Sequence, residues 1–283
     1  MVVRKDWGVK RVDDRVHSAW LAPPGLLEDD TVLVAYSGFD PSGWEATAWI
    51  LHAMYECLDV VGGPTHDDVR RIEEDTTERL SASDPVEGWL DEIRERSVLV
   101  GAPLGVSASP GDGWSRLHWS DLARRTGDDP FRADYLPQSG SFAFESWPAN
   151  IRPPAEGGLD REQYDVLLTH LVRHSPDGLD TECFVRYAVG WTADEALLLS
   201  GTVNEARSHY GDPLDERFEG AAPNNIWPAD RSWMVFTDYD LWATKVSGSH
   251  ALIADLLNEP ELEAIQTVWT LDPMKHGARG RSL

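Results

Sequence analysis

Cysteine is scarce in this chain. The 283 residues include only Cys57 and Cys183, far apart and without a CxxC pair. That spacing excludes the paired-thiol motifs and fits two reduced, buried thiols in a reducing cytosol, although it leaves a disulfide between them open. Long apolar runs are also missing. No stretch approaches the roughly 20 residues of a membrane span, and the opening MVVRKDWGVKRVDDR has no apolar signal core. The expectation is a cytoplasmic protein without membrane association. Basic residues are few as well, 25 Lys and Arg against 49 Asp and Glu, a formal charge of −24. Such a field repels nucleic acid and anionic lipid, which excludes those partners through a basic patch. It suits a basic protein partner, a cation site, or simple solubility.

Catalytic signatures are lacking too. Gly101–Gly113 (GAPLGVSASPGDG) has no Lys-Ser/Thr pair, so it is not a phosphate loop, and no GxGxxG follows a strand. There is no GxSxG elbow, and Ser247-Gly248-Ser249-His250 reads as a helix cap. Cys57 lies in YECLDV, an apolar and acidic context that raises a thiol pKa and so disfavours a nucleophile.

What is present is globular: 41% hydrophobic and 26% charged residues. The most structured stretch is Ile226–Trp269. Within it, SWMVFTD (Ser232–Asp238) alternates Trp233, Val235 and Thr237 against Met234, Phe236 and Asp238, as a strand does. The Trp227-Pro228 pair predicts a loop leading into that strand. Ser247-Gly248-Ser249 predicts a turn and N-cap, and Leu252, Ile253, Leu256 and Leu257 form the apolar stripe of a helix closed by Asn258 and Pro260. Leu262–Trp269 follows as a further strand, or as a short helical turn and a strand.

Earlier in the chain, Thr31–Tyr36 and Ser97–Val100 read as strands, and His66–Leu80 and Asp84–Arg96 as helices. Trp44–Tyr55 fits either strand, with Thr47, Trp49 and Leu51 on one face, or helix. His118–Arg125 reads as a short helix, and Leu159–His174 as an amphipathic one burying Tyr164, Leu167, Leu168 and Leu171. Cys183–Val189 and Ala196–Ser200 form a strand pair. The expected fold is α+β, a mixed or antiparallel sheet with amphipathic helices packed on one face. Residues 1–283 are expected as one unit, with a subdivision into 16–105 and 114–270 joined by a 101–113 linker as the variant reading.

Two constellations bear on chemistry. Asp238-Tyr239-Asp240, if on a strand, sets two carboxylates on one face, where they could hold Mg²⁺ or Mn²⁺ or act as acid and base; solvated or amide-bonding carboxylates are the plainer reading. His170 and His174 share a helix face and could chelate a transition metal, but HLVRH lacks the metalloprotease Glu and no third ligand follows from spacing. The thirteen tryptophans offer stacking area at a binding rim or bulk for a core.

PAEGGLD (Pro154–Asp160), the Leu171–His174 helix end, Cys183-Phe184, the Leu198–Gly201 turn and above all Trp227–Ser249 resemble a family of uncharacterised actinobacterial proteins. GWEATAWILHAMYE and HWSDLARRTG fall in the same order, so the resemblance runs from about Thr31 to Trp269. It implies one integrated α+β unit in a bacterial cytoplasm and assigns no residue a catalytic role.

Two functions remain from these readings. The first is a non-catalytic protein-binding or regulatory module, of immunity or accessory type, with a basic protein partner and no cofactor. Its candidate binding residues are Trp227, Arg231, Trp233, Asp238, Asp240 and Trp242. The alternative is a metal-dependent hydrolase or transferase, with a divalent cation held by Asp238 and Asp240 with His170 or His174.

Overall fold

The computed structural model describes residues 9–21, 43–59, 63–72, 105–127, 137, 141–188, 196–211 and 215–266. The chain runs through β1 (Lys10–Arg11), α1 (Asp14–His17), β2 (Ala46–Leu51), β3 (Met54–Cys57), β4 (Trp114–Leu117), α2 (Trp119–Thr126), β5 (Ile151–Arg152) and α3 (Arg161–Arg173). It continues through β6 (Glu182–Tyr187), β7 (Leu197–Thr202), α4 (Val203–His209), β8 (Asn225–Pro228), β9 (Met234–Phe236), β10 (Ala243–Gly248), α5 (His250–Leu257) and β11 (Ala264–Gln266). Residues 66–72 are helical. The strands expected at Thr31–Tyr36 and Ser97–Val100 and the helix at Asp84–Arg96 lie outside the described residues, as does the second half of the helix expected over His66–Leu80.

Among the described residues the fold is α+β with wholly antiparallel pairing. Eight strands lie in the order β1-β7-β6-β8-β9-β10-β2-β11, and a second sheet has the order β4-β3-β5. Strand period separates two cores on the large sheet. Ala46, Ala48, Ile50, Val185, Val235, Trp233 and Val246 face a core completed by Leu167 and Leu171 of α3, Val203 and Ala206 of α4, and Leu252, Ile253 and Leu256 of α5. Trp49, Leu51, Phe184, Trp227, Met234 and Phe236 face the other way, against Trp119 and Leu122 of α2 and the rings of Phe142, Trp147 and Trp242. The stretch Trp44–Tyr55 is therefore strand from Ala46 on, in β2 and β3, divided at His52-Ala53.

Two expectations in the central stretch are corrected. Asn225–Pro228 is not a loop but strand β8, paired with β6 and β9; Pro228, opposite Cys183, falls past the last residue paired with β9, where its missing N–H is tolerated. Ser247 and Gly248 are the end of strand β10 rather than a turn, and Ser249 alone caps α5, accepting from the Leu252 N–H. A side chain at Gly248 would come within 3.0 Å of Leu252 and 3.3 Å of Trp233, so glycine lets the helix close over the strand.

Ahead of β2, the segment carrying α1 is fastened to the second face. Arg186 of β6 donates to Asp14 at 2.7 and 3.2 Å, His17 stacks on Phe184 at 4.9 Å, and Trp20 meets Trp227 edge-on at 5.8 Å. In the expected 101–113 linker, the Gly105 N–H donates to Glu156 O and the Val106 N–H to Gly220 O, both at 2.8 Å. Gly105 has φ +80°, and a Cβ there would sit 2.2 Å from Gly220 O.

Candidate functional site

The two sheets are joined at His52-Ala53, and distant side chains make this turn without glycine or proline. Gln163 in the first turn of α3 accepts from the Ala53 N–H at 2.8 Å and donates to Leu51 O at 2.9 Å. The Trp119 indole donates to His52 O at 2.9 Å. Burial pushes the His52 imidazole down to about 4, so the ring is neutral: Nδ1 donates to Ala155 O at 2.7 Å and Nε2 accepts from Thr244 Oγ1 at 2.9 Å.

Beside this joint lies a cleft. Tyr55 of β3 stands opposite Arg116 of β4 and Arg152 of β5, which puts the three side chains on one face of the small sheet. The Tyr55 hydroxyl donates to Asp160 Oδ2 at 2.5 Å, while Asp160 Oδ1 caps α3 by accepting from the Gln163 N–H at 2.7 Å. Burial and then the Asp160 bond raise the Tyr55 phenol pKa, so it remains a donor; burial lowers that of Arg152. A cavity of about 220 Å³ is lined by Tyr55, Arg116, Glu162, Gln163, Val166 and Glu261. Arg116 Nη1 is 4.0 Å from Glu261 Oε2, too far for a hydrogen bond, and its Nε and Nη2 are buried with no hydrogen-bond partner among the described residues. Glu162 and Glu261 are exposed at the rim. Behind them Glu263 accepts from the Trp119 N–H at 2.8 Å and lies 3.4 Å from His118; burial raises its pKa.

A wider cavity of about 430 Å³ lies between residues 65–71 and 143–146. Its charged groups are satisfied internally: Arg70 bridges Asp67 and Glu145, Arg71 pairs with Asp67, and Asp68 accepts from the Thr65 hydroxyl at 2.8 Å.

The residues singled out from the sequence do not converge. Asp238-Tyr239-Asp240 is a turn between β9 and β10 rather than a strand, because Asp238 Oδ1 accepts from the Asp240 N–H at 3.3 Å and Asp238 O from the Leu241 N–H at 3.0 Å. The two carboxylates therefore do not share a strand face. Asp238 is 5% exposed, and burial pushes it up to about 7. His170 bonds Glu259 at 2.9 Å and His174 bonds Asp255 at 2.8 Å, so the histidine pair ties α3 to α5 and the chain following it. Among the described residues no group of three or more His, Cys, Asp or Glu side chains is placed to hold a metal ion. Trp227, Trp233 and Trp242, expected at a binding rim, are 0–1% exposed and fill the two cores instead; the Trp233 indole donates to Ser175 Oγ at 2.9 Å. Arg231 lies over the Trp20 ring, 4.7 Å from its centroid.

Tyr55, Arg116, Glu162, Gln163 and Glu261 were not legible as a group, since they come from four distant segments. The one local signal was Asp160 with Gln163 three residues on, at the head of an apolar-periodic run, which marks a capped helix start. In comparisons with protein-family models, curated proteins and solved structures, this chain matches none.

Proposed function

We propose that the chain is a non-catalytic protein-binding module, of immunity or accessory type, that docks on a basic protein partner in a bacterial cytoplasm. The observation that carries this reading is the acidic flank around the cleft. Glu162 of α3 and Glu261 in the chain after α5 line the cleft and are both exposed. With the net charge of −24, that flank steers cationic surfaces inward and pairs with their Lys and Arg at the rim. Charge carries more weight than apolar contact here. The large apolar side chains exposed among the described residues, Val16, Leu58, Leu179 and Tyr239, come from four separate segments. The free thiols of Cys57 and Cys183 suit a reducing compartment.

The test is affinity purification from the native host at low salt, run in parallel with a Glu162→Lys/Glu261→Lys variant. A stoichiometric basic partner that leaves at high salt, and that the charge-reversed variant fails to retain, is the expected result. Wild type that elutes alone, or a partner held equally by the variant, overturns the reading.

A further inference from the structure

We propose that the cleft beside Tyr55 binds a free α-amino acid, with the Arg116 guanidinium taking the carboxylate and Glu162 and Glu261 taking the ammonium. This stands whether or not a protein docks on the same flank.

Arg116 motivates the assignment. In a chain with 49 acidic residues, it lines a cavity yet makes no hydrogen bond among the described residues, and its closest carboxylate is 4.0 Å away. Buried N–H groups left unpaired are unfavourable, and a guanidinium in that state gains from any planar acceptor that reaches it. Nε and Nη2 form the side-on edge of the fork, the geometry that a carboxylate meets with two parallel bonds. The side chain lines the cavity, and binding turns this edge, buried in the present structure, toward the ligand through its terminal torsions.

The rest of the lining supplies the other half of a zwitterion. Glu162 and Glu261 are acceptor-only groups exposed on the same rim, as an ammonium with three donors requires. The wall behind them is preorganised: the Gln163 amide is committed to Leu51 and Ala53, and the Tyr55 hydroxyl to Asp160. Val166 is the one aliphatic lining residue. Size restricts the ligand further. The 220 Å³ equals the liquid volume of about seven waters at ~30 Å³ each and falls below the ~300 Å³ where drug-sized sites begin. A bare carboxylate leaves the two rim glutamates without a cation, and a bare amine leaves Arg116 unpaired.

The experiment is calorimetric titration of the full chain with each common amino acid. Propionate serves as the carboxylate-only probe, ethylamine as the amine-only probe, and the N-acetyl derivative of the best amino acid as the blocked-ammonium probe. At least one amino acid should bind one-to-one at millimolar affinity or better, and the three fragment probes should bind at least about tenfold more weakly. Arg116→Gln should weaken the amino acid by about tenfold or more while melting as wild type does. Should Arg116→Gln fail to fold, Glu162→Gln/Glu261→Gln carries the test, because both side chains are exposed. Absence of binding by every amino acid, equal binding of the N-acetyl derivative, or undiminished affinity in a folded variant overturns the proposal.

Discussion

Asp238 holds its proton to an unusually high pH. Burial is the leading cause of its rise to about 7, the neighbouring Asp240 carboxylate adds to it, and the Asp240 and Tyr239 amides only partly offset it. An unfolded aspartate titrates near 3.9. Between those two values the native state binds more protons than the unfolded chain, so stability falls as pH rises from about 4 to about 7 and levels off above. Asp238→Asn keeps an oxygen to accept from the Asp240 amide and removes the ionisation. The variant should match wild type at about pH 4 and exceed it by roughly 2–4 kcal/mol at about pH 8, read from denaturant melts across that range. A variant less stable than wild type at the upper pH would show that the carboxylate is held by a favourable partner. The acidic doublet was visible in the sequence, but the side chain–backbone bond that turns it was not, since Asx turns compete with strand on energies too similar for pattern to decide.

At the scale of elements, α3 was legible because its buried face repeats at helical period, and α5 because Ser249 and Asn258 bracket an apolar stripe. Strands β8 and β10 were not. Every residue of both is buried, so neither carries the polar-apolar alternation that marks a half-exposed strand. Their identity comes from the neighbours on either side. The same limit applies to His170 and His174, whose shared face was readable while Glu259 and Asp255 were not. Those carboxylates are held below their usual range, first by the histidine hydrogen bonds. A depressed carboxylate stabilises the fold above its unfolded pKa and loses that contribution as pH falls through the folded value. Below about pH 4 the amides of α5 should therefore exchange faster relative to those of β6 and β7, as hydrogen exchange would record. Asp255→Asn/Glu259→Gln should erase that acid-specific change; an equal acceleration in the variant would place its origin elsewhere.

On the scale of the whole molecule, the tryptophan count has a structural explanation. The central sheet is covered on both faces, and two cores of this size consume large rings: Trp49, Trp119, Trp147, Trp227, Trp233 and Trp242 are all nearly inaccessible. Composition could show that the rings were there, but which face each took depended on register across strands far apart in sequence. The faces and the small sheet meet at His52-Ala53, where Gln163 holds the chain from α3. Leu51 and Ala53 are 0% and 4% exposed, so no bulk water replaces that amide if it is lost. Gln163→Leu retains bulk while leaving one buried carbonyl and one buried N–H unpaired, at about 1–3 kcal/mol each. The expected loss is roughly 2–6 kcal/mol, and because the residue joins both sheets, tryptophan fluorescence and far-ultraviolet circular dichroism should shift together in one transition. Two separated transitions, or a loss below about 0.5 kcal/mol, would show that the sheets are stabilised independently of this joint.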